Sequence, residues 1–142
     1  MSQRVPGTHC GMPSSLEPGA GDDARRIAAW LKEATKDERY EWMMNTNCRQ
    51  IAADIKGLRL KNGLTQEQLA TALKTKASVI SLWESGTYQG YTISSLIRIA
   101  SYFDCAFICR FVGWPEFIVF TATGPVAIPV PFTDDLPKST VK

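Results

Sequence analysis

A chain of 142 residues, 44% of them hydrophobic, can bury one compact core with flexible ends but not two full-sized domains. Its 16 basic and 14 acidic side chains leave a net charge of +2, which excludes a polycationic tail able to hold a polyanion by charge alone. The small positive excess lies in the middle, where residues 49–104 carry seven Lys or Arg against four acids.

Residues 1–21 combine Pro6, Gly7, Gly11, Pro13, Pro18, Gly19 and Gly21 with few large apolar side chains, and are expected to stay disordered. Residues 22–47 read as an N-terminal helical extension. Asp22 or Asp23 offers an N-cap, and Ile27, Trp30, Leu31 and Ala34 share one face of a helix over residues 23–34. Tyr40, Met44, Cys48, Ile51, Ile55 and Leu58 continue a helical rhythm. This run admits one helix to Lys61 or a break at Asn45-Thr46-Asn47, whose side chains cap helices better than they extend them; the break is the favoured reading.

The central segment, residues 48–104, reads as a helical domain. Asn62-Gly63 ends its first helix, Thr65 caps a second with Leu69, Ala70 and Leu73 inward, and residues 74–76 make a tight connection. A brief helix over residues 77–84 turns Ile80 and Trp83 inward and ends at Ser85-Gly86. Thr92 caps a further helix carrying Ile93, Leu96, Ile97, Ala100 and Phe103. Beyond Asp104 the composition changes: residues 106–112 and 116–123 are rich in strand formers around Gly113-Trp114-Pro115, which predicts a short hairpin. Residues 125–132 alternate proline with apolar side chains as an extended segment, so 105–132 form one element, and residues 133–142 are a mobile tail. The fold class is therefore mainly α, five to six helices with a short C-terminal β-hairpin.

Two short helices joined by about three residues form a unit whose second helix fits a DNA major groove about 12 Å wide, provided that its outer face is small or polar. Lys76, Ala77, Ser78, Ser81 and Leu82 stand outward here, while Ala70 lets the two helices cross closely. The runs LTQEQLATAL (residues 64–73) and SVISLWESG (residues 78–86) resemble the Cro/CI-type, or xenobiotic-response-element, helix-turn-helix family, and the likeness extends over residues 50–103. It implies a lambda-repressor-like domain in a single-motif bacterial or prophage regulator. By the same resemblance Gln66 contacts a phosphate and steadies the recognition helix, and Ser85 takes the place of an Asn that touches the DNA backbone. Ala77, Ser78 and Leu82 fall at base-reading positions with Lys76 before them, and Arg59 and Glu84 fall where members place a partly buried salt bridge.

Two departures matter. Lys74-Thr75-Lys76 replaces a turn the family builds with glycine, and the outer face lacks the Arg, Asn and Gln that make bidentate bonds worth roughly 1 to 3 kcal/mol of discrimination each. Leu82 can touch a thymine methyl, Ser78 and Ser81 a base or phosphate, and Lys76 a phosphate. Residues 106–117 resemble, more loosely, a segment that follows the last helix in some of these regulators. Phe107, Cys109 and Phe111 share one strand face, and together with Phe117, Val119 and Phe120 of the partner segment they either cover the helical core or pair two copies.

The reading that follows is a DNA-binding transcriptional regulator, a repressor acting as a homodimer on double-stranded DNA. A second reading is an antitoxin of the same fold that holds a toxin with its N-terminal helices through Trp30, Leu31, Trp42, Met43 and Met44, side chains that otherwise simply pack. A third is a fold that has lost DNA binding. No enzyme is expected: the only histidine, His9, lies in the opening tail, and no catalytic spacing or phosphate loop is present. Cys10, Cys48, Cys105 and Cys109 lack metal-site spacing, so neither metal nor cofactor is called for and the thiols are expected buried and free in a reducing compartment. No apolar run opens the chain behind a basic segment, and residues 117–132 are broken by Gly124, Pro125, Pro129 and Pro131; neither secretion nor a membrane span is expected, which places the chain in the cytoplasm.

Overall fold

The computed structural model describes residues 20–122, with side chains from residue 23. In this part the chain forms α1 (Ala20–Glu33), α2 (Lys36–Lys61), α3 (Gln66–Ala72), α4 (Ala77–Trp83), α5 (Ile93–Tyr102) and α6 (Trp114–Ala122), and no strand is present among the described residues. Contacts divide the described residues into a first unit, 20–46 with 110–122, and a second unit, 47–109. None of the described helices is long and apolar enough to cross a membrane.

The second unit holds its short helices by their ends. Thr65 and Gln68 form a reciprocal box at the start of α3: the Gln68 N–H donates to the Thr65 hydroxyl at 3.1 Å and the Thr65 N–H to the Gln68 amide oxygen at 2.9 Å. At α5 the Thr92 hydroxyl accepts from the Ser95 N–H. Three helix ends close in the same way, with a left-handed residue after the cap: Gly63 (φ 66), Lys74 (φ 54) and Asp104 (φ 53). After each, a backbone N–H reaches back to an otherwise orphaned carbonyl, as in Leu64 to Arg59, Thr75 to Ala70 and Cys105 to Ala100. The core so enclosed comprises Ile55, Leu58, Leu69, Ala70, Leu73, Ile80, Trp83, Leu96, Ile99 and Phe103.

The first unit is built around aromatic rings. α1 packs against α6, and Ile27, Leu31, Trp42 and Phe117 are buried together. Trp42 meets Phe117 edge-on at 5.3 Å and Trp30 at 5.7 Å, and stacks on Trp114 at 6.2 Å. A second reciprocal box starts α2: Glu38 donates its N–H to the Thr35 hydroxyl and accepts the Thr35 N–H on its carboxylate. Arg39 donates to the Leu31 carbonyl near the end of α1.

The structure corrects several sequence expectations. The break at Asn45-Thr46-Asn47 does not occur; α2 runs through it, because the few tenths of a kcal/mol that such residues cost a helix interior are outweighed by packing on either side. Tyr40 is exposed and Trp42 is buried instead, so a single stripe from Tyr40 to Leu58 does not describe the helix, which supplies Trp42 to one core and Ile55 and Leu58 to another. α1 starts at Ala20, ahead of the Asp22 or Asp23 cap, so residues 20 and 21 belong to a helix and not to a tail. Ile93 and Ile97 are exposed, and Ile99 is buried in their stead.

The hairpin is also absent from the described residues. Residues 114–122 are α6: Pro115 sits in the first turn, where its missing N–H has no intrahelical partner to lose, and burial of Phe117 overrides strand propensity. With that partner helical, residues 106–112 have no neighbouring strand among the described residues to form a ladder. Of the described thiols, Cys48 is buried, Cys105 half-buried and Cys109 exposed, so among them Cys48 alone matches the buried expectation, and Cys10 lies outside the described residues. The opening tail up to residue 19, the 125–132 segment and the tail 133–142 lie outside the described residues.

Candidate nucleic-acid interface

α3 and α4 pack on each other through Leu69, Ala70, Leu73, Ile80 and Trp83, all buried, with Leu69 and Ile80 at 0% exposure. Residues 74–76 connect them. Lys74 takes the left-handed conformation that the sequence gives to glycine at the end of α2, and Lys76 is the extended residue just before α4. Ser78, Ser81 and Leu82 share one face of α4, Ser85 follows just beyond its C-cap, and all four are exposed. Lys76 is exposed and Ala77 half-buried at the same end. Leu82, at 45% exposure, is a large apolar side chain presented outward among hydroxyls.

The opposite side of α4 is fixed by a buried ion pair. Arg59 donates through Nε to Glu84 Oε1 at 2.7 Å and through Nη2 to Glu84 Oε2 at 3.0 Å, while its Nη1 donates to the Leu64 carbonyl at 2.8 Å. The two side chains are 10% and 4% exposed. Hydrogen bonding to Glu84 raises the Arg59 guanidinium further above its ordinary range. Gln66 joins this group: its amide nitrogen donates to Glu84 Oε2 at 3.1 Å. The start of α3, the end of α2 and the end of α4 thus meet on one carboxylate.

Ser85 is engaged locally. Its hydroxyl donates to the Leu82 carbonyl at 2.7 Å, and the Thr87 N–H donates back to it at 3.3 Å. Residues absent from the sequence reading complete this end. The Tyr91 hydroxyl donates to the Trp83 carbonyl at the last turn of α4, and burial, helped by nearby Cys48 and Tyr88, pushes its pKa up to about 12. Tyr88 meets Tyr91 edge-on at 5.0 Å and donates to the Gly90 carbonyl, which ties the loop to itself. Arg49, on α2, lies alongside Gly86, whose φ is 78°. No local rule ties a loop tyrosine to a helix carbonyl, so the sequence carries no signal for this contact.

The residues considered for a protein partner sit elsewhere. Leu31 and Trp42 are buried in the first unit with Phe117, and Trp30, Met43 and Met44 are half-buried. Among the described residues no group of three His, Cys, Asp or Glu side chains could hold a metal ion.

Residues 55–107 match the helix-turn-helix family model. Comparisons with curated proteins and with solved structures returned no match. The matched segment contains α3, α4, α5, the Arg59–Glu84 pair and every outward residue of α4. Residues 55–107 are accordingly a helix-turn-helix domain of the Cro/CI type.

Proposed function

We propose that the chain is a DNA-binding transcriptional regulator that represses by lying α4 in the major groove of an operator. The observation that supports this most is the division of α4: Ile80 and Trp83 are buried, Glu84 is held by Arg59 and Gln66, and Lys76, Ser78, Ser81, Leu82 and Ser85 are left outward on a helix narrow enough for the groove. In this reading Lys76 meets a phosphate, Ser78 or Ser81 a base edge or phosphate, and Leu82 a thymine methyl, with Ala77 small enough for close approach. Ser85 orders the backbone that follows, beside the phosphates. Gln66 spends one amide N–H on Glu84 and, having two, has another to offer a phosphate.

A homodimer completes the proposal, because two-fold pairing sets two recognition helices about 34 Å apart on a pseudo-palindrome. Exposed apolar side chains on the second unit, Ile93, Ile97, Phe107 and Ile108, support such pairing, and the segment from residue 105 onward remains the candidate dimerisation element.

The test is a titration onto DNA from upstream of the chain's own gene and onto random DNA at two salt concentrations. Lys76→Ala and Gln66→Ala should weaken both alike, whereas Ser78→Ala and Leu82→Ala should change preference at one or two base pairs. Equal binding to both DNAs, unmoved by Lys76→Ala or Ser78→Ala, overturns recognition through α4.

A further inference from the structure

We infer that Arg49 forms a second phosphate-binding site at the far end of α4, together with the loop of Ser85, Gly86 and Thr87. The inference rests on the docking of α4 proposed above and adds a residue that lies upstream of the matched segment 55–107. A Cβ built on Gly86 would stand 3.4 Å from Arg49 Cγ and 3.9 Å from its Cα, so the stem of Arg49 crosses directly over this glycine. Gly86 also has φ 78°, a conformation that a side chain would strain. The backbone conformation calls for glycine here, while a Cβ would meet the Arg49 stem at ordinary van der Waals distance, so the stem lies packed against the loop.

Thr87 and Ser85 flank the crossing with hydroxyls 3.1 Å apart, and the Ser85 hydroxyl in turn bonds the last turn of α4. The loop is thereby fixed to the helix, and the exposed Arg49 is fixed beside the loop. A guanidinium is planar and forked, the geometry that pairs with two oxygens of a phosphodiester. Lys76 stands at the other end of α4. A seven-residue helix is about 10 Å long, close to the width of the groove at about 12 Å, so cations at its two ends can meet phosphates on opposite walls. Arg49 then contributes to affinity and register but not to base choice.

The full-length chain with Arg49→Gln should bind upstream and random DNA more weakly, with the slope of log affinity against log salt reduced by about one. Its base preference and its thermal melting should be unchanged, and Arg49→Lys, which retains the charge, should recover the slope. If Arg49→Gln keeps the parent slope while Lys76→Ala lowers it, Arg49 meets no phosphate and the docking of α4 stands. If Arg49→Gln and Arg49→Lys lose binding alike while both melt normally, the stem acts on the loop and the phosphate contact is refuted. A parent chain that binds neither DNA removes both this inference and the reading beneath it.

Discussion

The two units of this chain hold their helices with a different balance of end-capping bonds and ring packing. In the second, α3 and α4 have seven residues each, well below the 12–15 or so at which an isolated helix holds in water. They are kept by devices at their ends, namely the Thr65–Gln68 box, the left-handed closures and the Arg59–Glu84–Gln66 group, around a core that is mostly aliphatic but also holds Trp83 and Phe103. In the first unit α1, the start of α2 and α6 are joined by stacked and edge-on rings, with Trp42 at the centre. Directional polar bonds fix the angle at which a helix leaves its scaffold, whereas aromatic packing chiefly fills volume. The unit that carries the helix-turn-helix is the one richer in the former.

Removing the key group from each should show the difference. Trp42→Ala deletes a buried ring and should cost about 3 to 5 kcal/mol in denaturant melts. Glu84→Ala leaves Arg59 buried without its carboxylate and should cost a similar 3 to 5 kcal/mol or so. The distinguishing measurement is repair. Replacing both members of the pair, Arg59→Met with Glu84→Met, should restore much of the stability, because the uncompensated charge is gone. If the double variant is no more stable than Glu84→Ala, the comparison between a polar and an apolar anchor collapses.

The same contrast explains what could be read from the sequence. Thr65, Gly63 and Thr92 act within four residues of themselves, so their roles as caps and stops follow from local chemistry and hold in the structure. The Thr35–Glu38 box obeys the same rule and could have been read by it. Phe117 is different. Its partners are Trp42 and Trp114, and nothing near residue 117 announces a ring 75 positions earlier, so strand propensity prevailed where a helix forms. α2 shows the limit from the other side: a single helix supplying two cores carries two interleaved apolar patterns, and reading them as one stripe misassigned Tyr40. On α4 the outward face was legible because Ile80 and Trp83 define the inward one; the crossing of Arg49 over Gly86 was not, since the two residues lie 37 positions apart.

A smaller effect tests whether the loop after α4 belongs to the polar scheme. Tyr91 has its pKa raised from 10.0 to about 12, mainly by burial, so the folded state favours the neutral phenol. The stabilisation linked to this shift is fully present below the unfolded pKa near 10 and is lost as pH rises through about 12. Tyr91→Phe should lower stability at neutral pH, through loss of the bond to the Trp83 carbonyl, and should remove that part of the alkaline decline between pH 10 and 12. An unchanged decline in the variant would assign it to other groups.

The smallest change predicted is a gain. Gly63 and Lys74 occupy the same left-handed position in the same type of helix closure, one with a residue free to adopt it and the other with a side chain that the conformation disfavours by about 1 to 2 kcal/mol. Lys74→Gly relieves that strain but loosens the unfolded chain, so the net increase in stability should be no more than about 1 kcal/mol. Gly63→Ala is the mirror test, since nothing lies within 4 Å of the added Cβ and any loss must come from the backbone. A gain at 74 matched by a loss at 63 would show that the turn before α4 keeps lysine against its own backbone preference. That cost has a reason if the ammonium, exposed at the entry to the reading helix, adds to the positive charge that Lys76 offers beside it.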